Sequence, residues 1–299
     1  MEGNIKSYLQ AVAPDLPLEI VSQELYGKLN KLTDFFKDFA ASEYILETSL
    51  NSNSAEADFS FRVLTEEKDS LLKGLKNKDF MNLTKDESWR RFVDFVNYWP
   101  QEIADLWLEM DYGEWEKEIP RPCFFFNAGQ LKKNGEIDYN LLFTALKQLL
   151  GCEQVEELKE NIKDVIQKLP AEVNLFQIGT MLSRNKDRVR IFTAELTREQ
   201  VVEYLADLGW SGSFSDLDEI LHFLEEFSDH QYILDFDVSR QGISERIGLN
   251  FGLQDKKMLS VFLESLASRQ LCTEAKKQGV LAWSGSKGSF LGLIMALQP

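Results

Sequence analysis

Charged side chains recur at every second position of two predicted strands, a spacing that places them on one face of each strand. Arg188 and Arg190 alternate with apolar residues and share a face with Phe192. Asp235 and Asp237 share a face in the same way. A guanidinium fork binds phosphate oxygens through two parallel hydrogen bonds, and Mg²⁺ prefers carboxylates together with phosphate oxygens. The spacing therefore indicates a candidate anion site and a candidate metal site.

Three further predicted strands carry a polar face of the same kind. The glycines beside Arg246 and Asn250 are small enough to leave space there, which suits a cavity. Alternating charges are also what the solvated face of an ordinary antiparallel sheet shows, so a site and a plain surface both remain open. The polar faces comprise Ser60 and Arg62; Trp107, Glu109 and Asp111; and Arg246, Gly248, Asn250 and Gly252.

The strands belong to a recurring unit of helix, strand, strand and helix. In the clearest copy, residues 215–229 and 255–271 have helical spacing, and residues 231–238 and 245–253 alternate as strands. Counting generously along the chain gives about ten strands in about five such units. Successive hairpins can pair edge to edge and close, with helices covering one face. The fold class is therefore α+β, predicted as a closed antiparallel barrel ringed by helices, with an open α+β sheet as the alternative.

The remaining elements follow from local patterns, caps and breakers. With no linker rich in Pro, Gly or Ser, residues 1–299 are predicted to form a single domain. Predicted elements are a loose lead-in over 1–17; helices over 18–50 (broken once), from Thr84 or Asp86, over 138–151, before Pro170 and from Thr197 to Gly209; strands over 58–64, near 80–83, and over 106–112, 122–127, 173–182 and 187–196; and a final hairpin over 279–285 and 288–297.

Composition restricts the partners and the compartment. The net charge of −16 argues against nucleic-acid binding, which needs a basic surface, and against docking on anionic membranes. No window approaches the ~18 apolar residues that span a bilayer, and the N-terminus lacks a signal-peptide pattern. Three cysteines without a CxxC motif indicate a reducing compartment. A cytoplasmic protein without membrane insertion is expected.

Successive helix–strand–strand–helix units closing a ten-stranded barrel resemble the ABBA aromatic prenyltransferases, including the cyanobactin peptide prenyltransferases. The resemblance covers residues 18–297 and lies in element order, carried by SFRVL, LWLEMDY, PCFFF, VRIFTAEL, YILDFDV, RIGLNFGL and the final hairpin. It implies a shielded lumen in which Arg and Lys bind the diphosphate of an isoprenyl donor. It also implies aromatic residues that shield an allylic cation, an acidic residue that orients the acceptor, and Mg²⁺ in peptide-modifying members.

Carried onto this chain, the resemblance predicts transfer of an isoprenyl group from its diphosphate to an aromatic or peptide side chain. The implied residues are Arg62, Arg188, Arg190, Arg246 and Lys287 for the diphosphate; Glu109 or Asp111 for catalysis; Asp235 and Asp237 for Mg²⁺; and Trp107, Phe192, Asn250 and Trp283 for the substrate.

The alternative function is a non-catalytic binding or accessory protein that recognises a peptide or protein partner. The enzyme requires a closed lumen with converging arginines. The binding protein allows those arginines to form surface salt bridges with Asp235, Asp237 and Glu245. The geometry around the arginines therefore distinguishes the two functions.

Overall fold

Pairs of helices alternate with pairs of strands along the chain, as the repeated unit predicts. The computed structural model describes residues 4–36, 41–76, 82, 84–111, 119–133, 136–184, 187–255 and 257–283, and the backbone of 292–297. Its α-helices are α1 (Ile5–Val12), α2 (Gln23–Phe35), α3 (Lys68–Gly74), α4 (Glu87–Tyr98), α5 (Tyr139–Leu150), α6 (Cys152–Gln167), α7 (Arg198–Asp207), α8 (Phe214–Leu224), α9 (Met258–Ser268) and α10 (Glu274–Ala282). Its strands are β1 (Glu43–Glu47), β2 (Asp58–Leu64), β3 (Asp105–Met110), β4 (Pro122–Asn127), β5 (Lys132–Lys133), β6 (Glu136–Ile137), β7 (Leu175–Met181), β8 (Val189–Leu196), β9 (Tyr232–Ser239), β10 (Gly242–Gly252) and β11 (Gly292–Leu297).

The chain divides into two compact units, and β4 contributes residues to both. The first unit comprises residues 1–97, 105–124 and 259–290, and the second comprises 98–104, 125–258 and 291–299. The single domain expected from the sequence stays a prediction.

Hydrogen bonding orders the strands consecutively, without crossovers between distant hairpins. The order is β1-β2-β3-β4 in the first unit and β4-β7-β8-β9-β10-β11 in the second, while β5 and β6 form a separate ribbon. Among the described residues, β1 pairs only with β2 and β11 only with β10, so the order ends in two edge strands. The predicted closed barrel is therefore wrong for this part of the chain, which has nine sheet strands rather than ten. The alternative, an open antiparallel α+β sheet, is what the structure shows.

The first unit is built around aromatic side chains from alternating strand positions and one helix face. Phe59 and Phe61 of β2 are fully buried, as are Phe92 and Phe95 of α4. The Phe124 ring lies 5.4 Å from Phe92 and 4.7 Å from Phe95, both in edge-to-face geometry, an arrangement that the ring quadrupole favours. The alternating buried residues of β2 and the buried helical face of α4 thus both contribute aromatic rings to this core.

In the second unit, local sequence signals determine where the helices begin and end. Gly151 adopts φ +89° between α5 and α6, and Gly209 adopts φ +68° after α7, conformations that side chains disfavour. Thr197 accepts from the backbone of Gln200, whose side chain bonds back to the Thr197 backbone, a complete capping box at α7. These predicted boundaries are confirmed. In the first unit, Asp86 rather than Thr84 accepts from Ser88 at the start of α4.

Three predicted elements are wrong because distant contacts outweigh the local pattern. The lead-in contains α1, which Asn4 caps by accepting from Ser7 and whose Leu9 is fully buried. Residues 43–47, predicted as helix, form β1 because Tyr44 pairs with Phe61 across the sheet. Residues 279–282, predicted as strand, continue α10, where a Cβ on Gly279 would lie 3.0 Å from Ile20.

Two structural observations bear on the remaining expectations. The strand expected near 80–83 lies almost wholly outside the described residues. Within the part of the chain that the structure describes, no helix is both long enough and apolar enough to cross a bilayer.

Phe124→Ala tests the aromatic core of the first unit. The change removes a fully buried ring and leaves a cavity, so we expect the free energy of unfolding to fall by about 3–5 kcal/mol. Urea unfolding measures the difference. Leu18→Ala, at a side chain that is 59% exposed, serves as the control and should change stability by less than about 0.5 kcal/mol. Equal stabilities for the two variants would contradict this account of the core.

Candidate functional site

Three neighbouring strands of the second unit bring charged side chains together on one face of the sheet. The register pairs Arg190 of β8 with Asp237 of β9, and Gly248 of β10 with Asp235 of β9. The same register pairs Asn250 with Ile233. Since side chains alternate along a strand, these residues face one side while the residues between them face the apolar core. We call Arg190, Asp235, Asp237 and Asn250 the polar cluster.

Hydrogen bonds and ion pairs connect every member of the polar cluster. Arg190 Nε donates to Asp237 Oδ1 at 2.8 Å, and Arg190 Nη1 lies 3.6 Å from Asp235 Oδ1. Asn250 Nδ2 lies 2.9 Å from Asp235 Oδ2, to which it donates, and also contacts the Ile233 carbonyl at 3.2 Å. Both oxygens of Asp235 therefore face a positive or hydrogen-bonding group.

Burial determines the electrostatics of the cluster. Asp235 is only 6% exposed. Loss of hydration raises the pKa of its carboxyl, although Arg190 and Asn250 oppose that shift. For Arg190, burial favours the neutral form, but the hydrogen bond and charge of Asp237 outweigh it and raise the pKa. The cluster thus combines a permanent cation with a carboxyl that holds its proton more tightly than usual.

Gly248 makes room for the buried carboxyl. A Cβ at this position would lie 2.1 Å from Asp235 Oδ2, far inside van der Waals contact. The sequence predicts that the space beside this glycine is part of a cavity. The Asp235 side chain occupies that space, because the register places it directly opposite Gly248.

The rest of this sheet face combines aromatic and charged residues. The Phe192 ring meets Phe125 of β4 edge to face, with centroids 5.3 Å apart. Arg246 is exposed, and its charge acts to lower the pKa of Asp235. Arg188 lies 3.7 Å from the neighbouring carboxylate of Asp187. The alternation therefore correctly predicts which residues share each face, but Arg190 points into a carboxylate pair.

In the first unit, a second guanidinium is paired in a similar way. Arg62 Nη2 donates to Asp105 Oδ2 at 2.7 Å, and Arg62 Nη1 lies 3.6 Å from Glu43 Oε2. The register places Arg62 opposite Trp107, and Glu109 two positions along on the same face. Asp105 is 1% exposed. It continues the alternation of the polar face one position before the predicted strand, a signal that the sequence analysis missed.

The structure distributes the predicted site residues between the two units. Asp111 is buried, and Trp283 is half-buried after α10. Lys287 lies outside the described residues. The first unit contains Arg62, Trp107, Glu109, Asp111 and Trp283, and the second contains Arg188, Arg190, Phe192, Asp235, Asp237, Arg246 and Asn250. Of these residues, the structure joins Arg190, Asp235, Asp237 and Asn250 into one network.

The predicted Mg²⁺ ligands are engaged by a cation of the protein itself. Both Asp235 and Asp237 contact Arg190, so a metal ion between the two carboxylates would have to displace the guanidinium. In the ranges that the structure describes, no group of three or more His, Cys, Asp or Glu side chains is arranged to hold a metal ion. Mg²⁺ binding stays a prediction.

Comparison with known proteins assigns neither a family nor a function to this chain. No protein-family model matches the chain, and no curated protein matches it.

Gly248→Ala tests the fit between the glycine and the buried carboxyl. The added methyl group would collide with Asp235, so we expect the free energy of unfolding to fall by about 1–3 kcal/mol. The matched control is Gly27→Ala in α2, where a Cβ meets nothing within 4 Å. Removing a helical glycine there should stabilise by roughly 0.5–1 kcal/mol. Urea unfolding of both variants checks the expectation, which fails if Gly248→Ala is as stable as the wild type.

Asp235→Asn tests the raised pKa of the buried carboxyl. A raised folded-state pKa means that the folded protein binds the proton more tightly than the unfolded chain does. Stability from this group is therefore present at low pH and is lost as the pH rises from the unfolded value of about 3.9 through the folded value. The variant lacks this titration. The free energy of unfolding of the variant, relative to that of the wild type, should thus rise as the pH rises above about 4.

Urea unfolding across that pH range measures the difference. Glu195→Gln, at an exposed residue of the same sheet, is the control and should show no such trend. A relative stability of Asp235→Asn that worsens as the pH rises would show that the pKa is lowered instead.

Proposed function

We propose that the protein transfers an isoprenyl group from an isoprenyl diphosphate to an aromatic or peptide side chain. The helix–strand–strand–helix order of the described elements supports the resemblance to the ABBA prenyltransferases. The described residues do not form the closed lumen with converging arginines that the transferase requires, since their sheet is open and Arg62 and Arg190 are paired with carboxylates. A fold alone does not define an activity. The observation that carries the proposal is a buried acid, Asp235, set beside a permanent cation on a sheet face that also bears the Phe125–Phe192 ring pair.

In this proposal, Asp235 accepts the proton of the acceptor side chain. The C–O bond of the isoprenyl diphosphate breaks and the diphosphate leaves with the electron pair. The isoprenyl carbon then bonds to the acceptor, whose proton passes to the ionised carboxylate of Asp235. A carboxylate with a raised pKa is a stronger base than an ordinary one. Arg190 holds that carboxylate in place, a positioning role rather than direct contact with the diphosphate.

Other residues of the second unit have supporting roles in the same proposal. The Phe192 ring, held edge to face by Phe125, offers a π face that stabilises an allylic cation. Arg246, whose charge acts on Asp235, and Arg188, which directly precedes β8, supply the charges for the leaving diphosphate. The roles of Arg62, Trp107, Glu109, Asp111, Trp283 and Lys287, and of Asp235 and Asp237 as Mg²⁺ ligands, stay predictions of the resemblance.

A second candidate function is a non-catalytic binding protein for a peptide or protein, and one specific observation favours it. Two of the predicted diphosphate-binding arginines are paired with carboxylates of their own unit, Arg190 with Asp237 and Arg62 with Asp105. A binding protein allows such pairing, whereas the transferase requires arginines that converge on the diphosphate. With a net charge of −16, the surface would attract a basic partner.

Ligand-induced stabilisation distinguishes the two candidates. Thermal unfolding is measured with dimethylallyl, geranyl and farnesyl diphosphate, each with and without Mg²⁺, and with inorganic diphosphate as the control ligand. A donor at about 100 times its Kd should add ~2.7 kcal/mol to stability. We expect one chain length to stabilise more than the others and more than inorganic diphosphate. The folded protein showing no shift with any donor would contradict the transferase and favour the binding protein.

Turnover with the stabilising donor then tests the site. Diphosphate release in the presence of tyrosine or tryptophan peptides should stop in Asp235→Asn, while donor stabilisation is retained. Glu195→Gln should react like the wild type. Unchanged turnover in Asp235→Asn would contradict the assignment of Asp235 as the base and show that the polar cluster has no part in the reaction.

A further inference from the structure

A groove in the second unit is lined by three lysine side chains, although the chain as a whole is acidic. It has a volume of about 610 Å³ and runs between α5 and α6. This volume lies within the range that small-molecule sites occupy, about 300–1,000 Å³. Its side chains repeat once per helical turn. The lining residues that matter for binding are Tyr139, Phe143 and Lys147 from α5 and Lys159 and Lys163 from α6.

The three lysines form a cationic strip in a chain whose net charge is −16. Lys147 and Lys159 share one carboxylate, Glu156, at 2.8 and 3.3 Å, and Lys163 pairs with Glu160 at 2.8 Å. Three cations therefore meet two carboxylates, and among the described residues no carboxylate lines the groove itself.

The carboxylates lie on the solvent side of these ion pairs. The lysine side chains are 29–33% exposed, whereas Glu156 is 51% and Glu160 is 80% exposed. Exposed pairs of this kind contribute only about 0–1 kcal/mol each. An anion that enters the groove can therefore replace the carboxylates as the partner of the lysines at little cost.

Aromatic rings form the floor between the lysines. The Tyr139 and Phe143 rings are stacked, with centroids 5.9 Å apart and planes inclined by 15°. Lys159 Nζ lies 5.6 Å from the Phe143 ring centroid. Burial raises the pKa of the half-buried Tyr139 phenol, which keeps it neutral, while the nearby charge of Lys163 acts in the opposite direction. The groove thus places flat apolar faces beside fixed positive charge.

Cations and rings follow one another along the groove. Tyr139 lies near Lys163 at one end, Phe143 near Lys159 in the middle, and Lys147 at the other end. Tyr139 and Lys147 are two helical turns apart, about 12 Å at 1.5 Å per residue. A ligand that stacks at the tyrosine end can therefore extend an anionic group toward Lys147 and Lys159.

We propose that the α5–α6 groove binds an aromatic phosphate such as a nucleotide, with its ring on Tyr139 and its phosphate between Lys147 and Lys159. Stacking on an aromatic side chain together with cationic phosphate contacts is a general way to hold a nucleotide. This proposal does not depend on the proposed function, because the groove shares no residue with the polar cluster.

Calorimetric titration of the 299-residue chain with AMP tests the proposal, with adenosine and inorganic phosphate as the two half-ligands. We expect AMP to bind at least about tenfold more tightly than either half, a difference of 1.4 kcal/mol. Lys147→Gln and Lys159→Gln should each weaken AMP binding by about the same factor. Tyr139→Leu should weaken AMP but leave inorganic phosphate unchanged.

Lys168→Gln is the matched control. Lys168 follows α6, lies outside the groove and has an ion pair of the same kind, with Asp164 at 2.8 Å. It should bind AMP like the wild type. Equal losses of AMP affinity in Lys168→Gln and Lys147→Gln would show that the loss comes from the change in overall charge and not from the groove. Inorganic phosphate binding as tightly as AMP, or a hexaglutamate peptide binding more tightly, would overturn the assignment to an aromatic phosphate.

Discussion

The pairing of Arg190 with two carboxylates is the constraint on which the sheet of the second unit depends. Removing a carboxylate from water costs several kcal/mol unless opposite charge and hydrogen bonds compensate. Asp235 satisfies this condition only because β8 supplies Arg190 and β10 supplies both Asn250 and the space at Gly248. A slip of one residue in β8 or β10 would turn Arg190 or Asn250 to the other face of the sheet, away from the carboxyl. The buried charge therefore defines the register of all three strands.

A comparable solution occurs in the first unit, where Arg62 of β2 is held by Asp105 of β3 and Glu43 of β1. In both units, carboxylates from neighbouring strands neutralise the guanidinium. Because the guanidinium groups are paired in this way, fewer of their hydrogen-bond donors are available to a ligand. The group with unusual chemistry is then the buried acid, Asp235. In the proposed transferase, the acid is the reactive group. In the binding protein, the same network would serve the register alone.

The lysines of the α5–α6 groove differ from these arginines in burial, and burial changes their chemical availability. Asp235 is 6% exposed, whereas the partners of the groove lysines are at least half exposed. Water screens the exposed pairs, so their contribution is small and an incoming anion can replace them. A buried pair cannot exchange partners without leaving an uncompensated charge. One chain thus contains charges fixed by the fold and charges open to exchange.

Strand faces and helix ends were predictable from the sequence because they depend on residues close together in the chain. The alternation of Arg190 with Phe192, and of Asp235 with Asp237, determines which side chains share a face whatever the neighbouring strand is. The caps at Asp86 and Thr197 and the glycines at 151 and 209 act within a single turn. The acidic composition likewise follows from the sequence alone.

The partner of each side chain was decided only by the tertiary structure. That Arg190 meets two carboxylates, that Asp235 occupies the space at Gly248, and that three lysines converge between two helices all depend on pairing and packing between separated segments. For the same reason, residues 43–47 form a strand where the sequence predicts a helix, and residues 279–282 form a helix where it predicts a strand. Local preferences are worth less than about 1 kcal/mol per residue, so the burial of side chains against distant neighbours outweighs them.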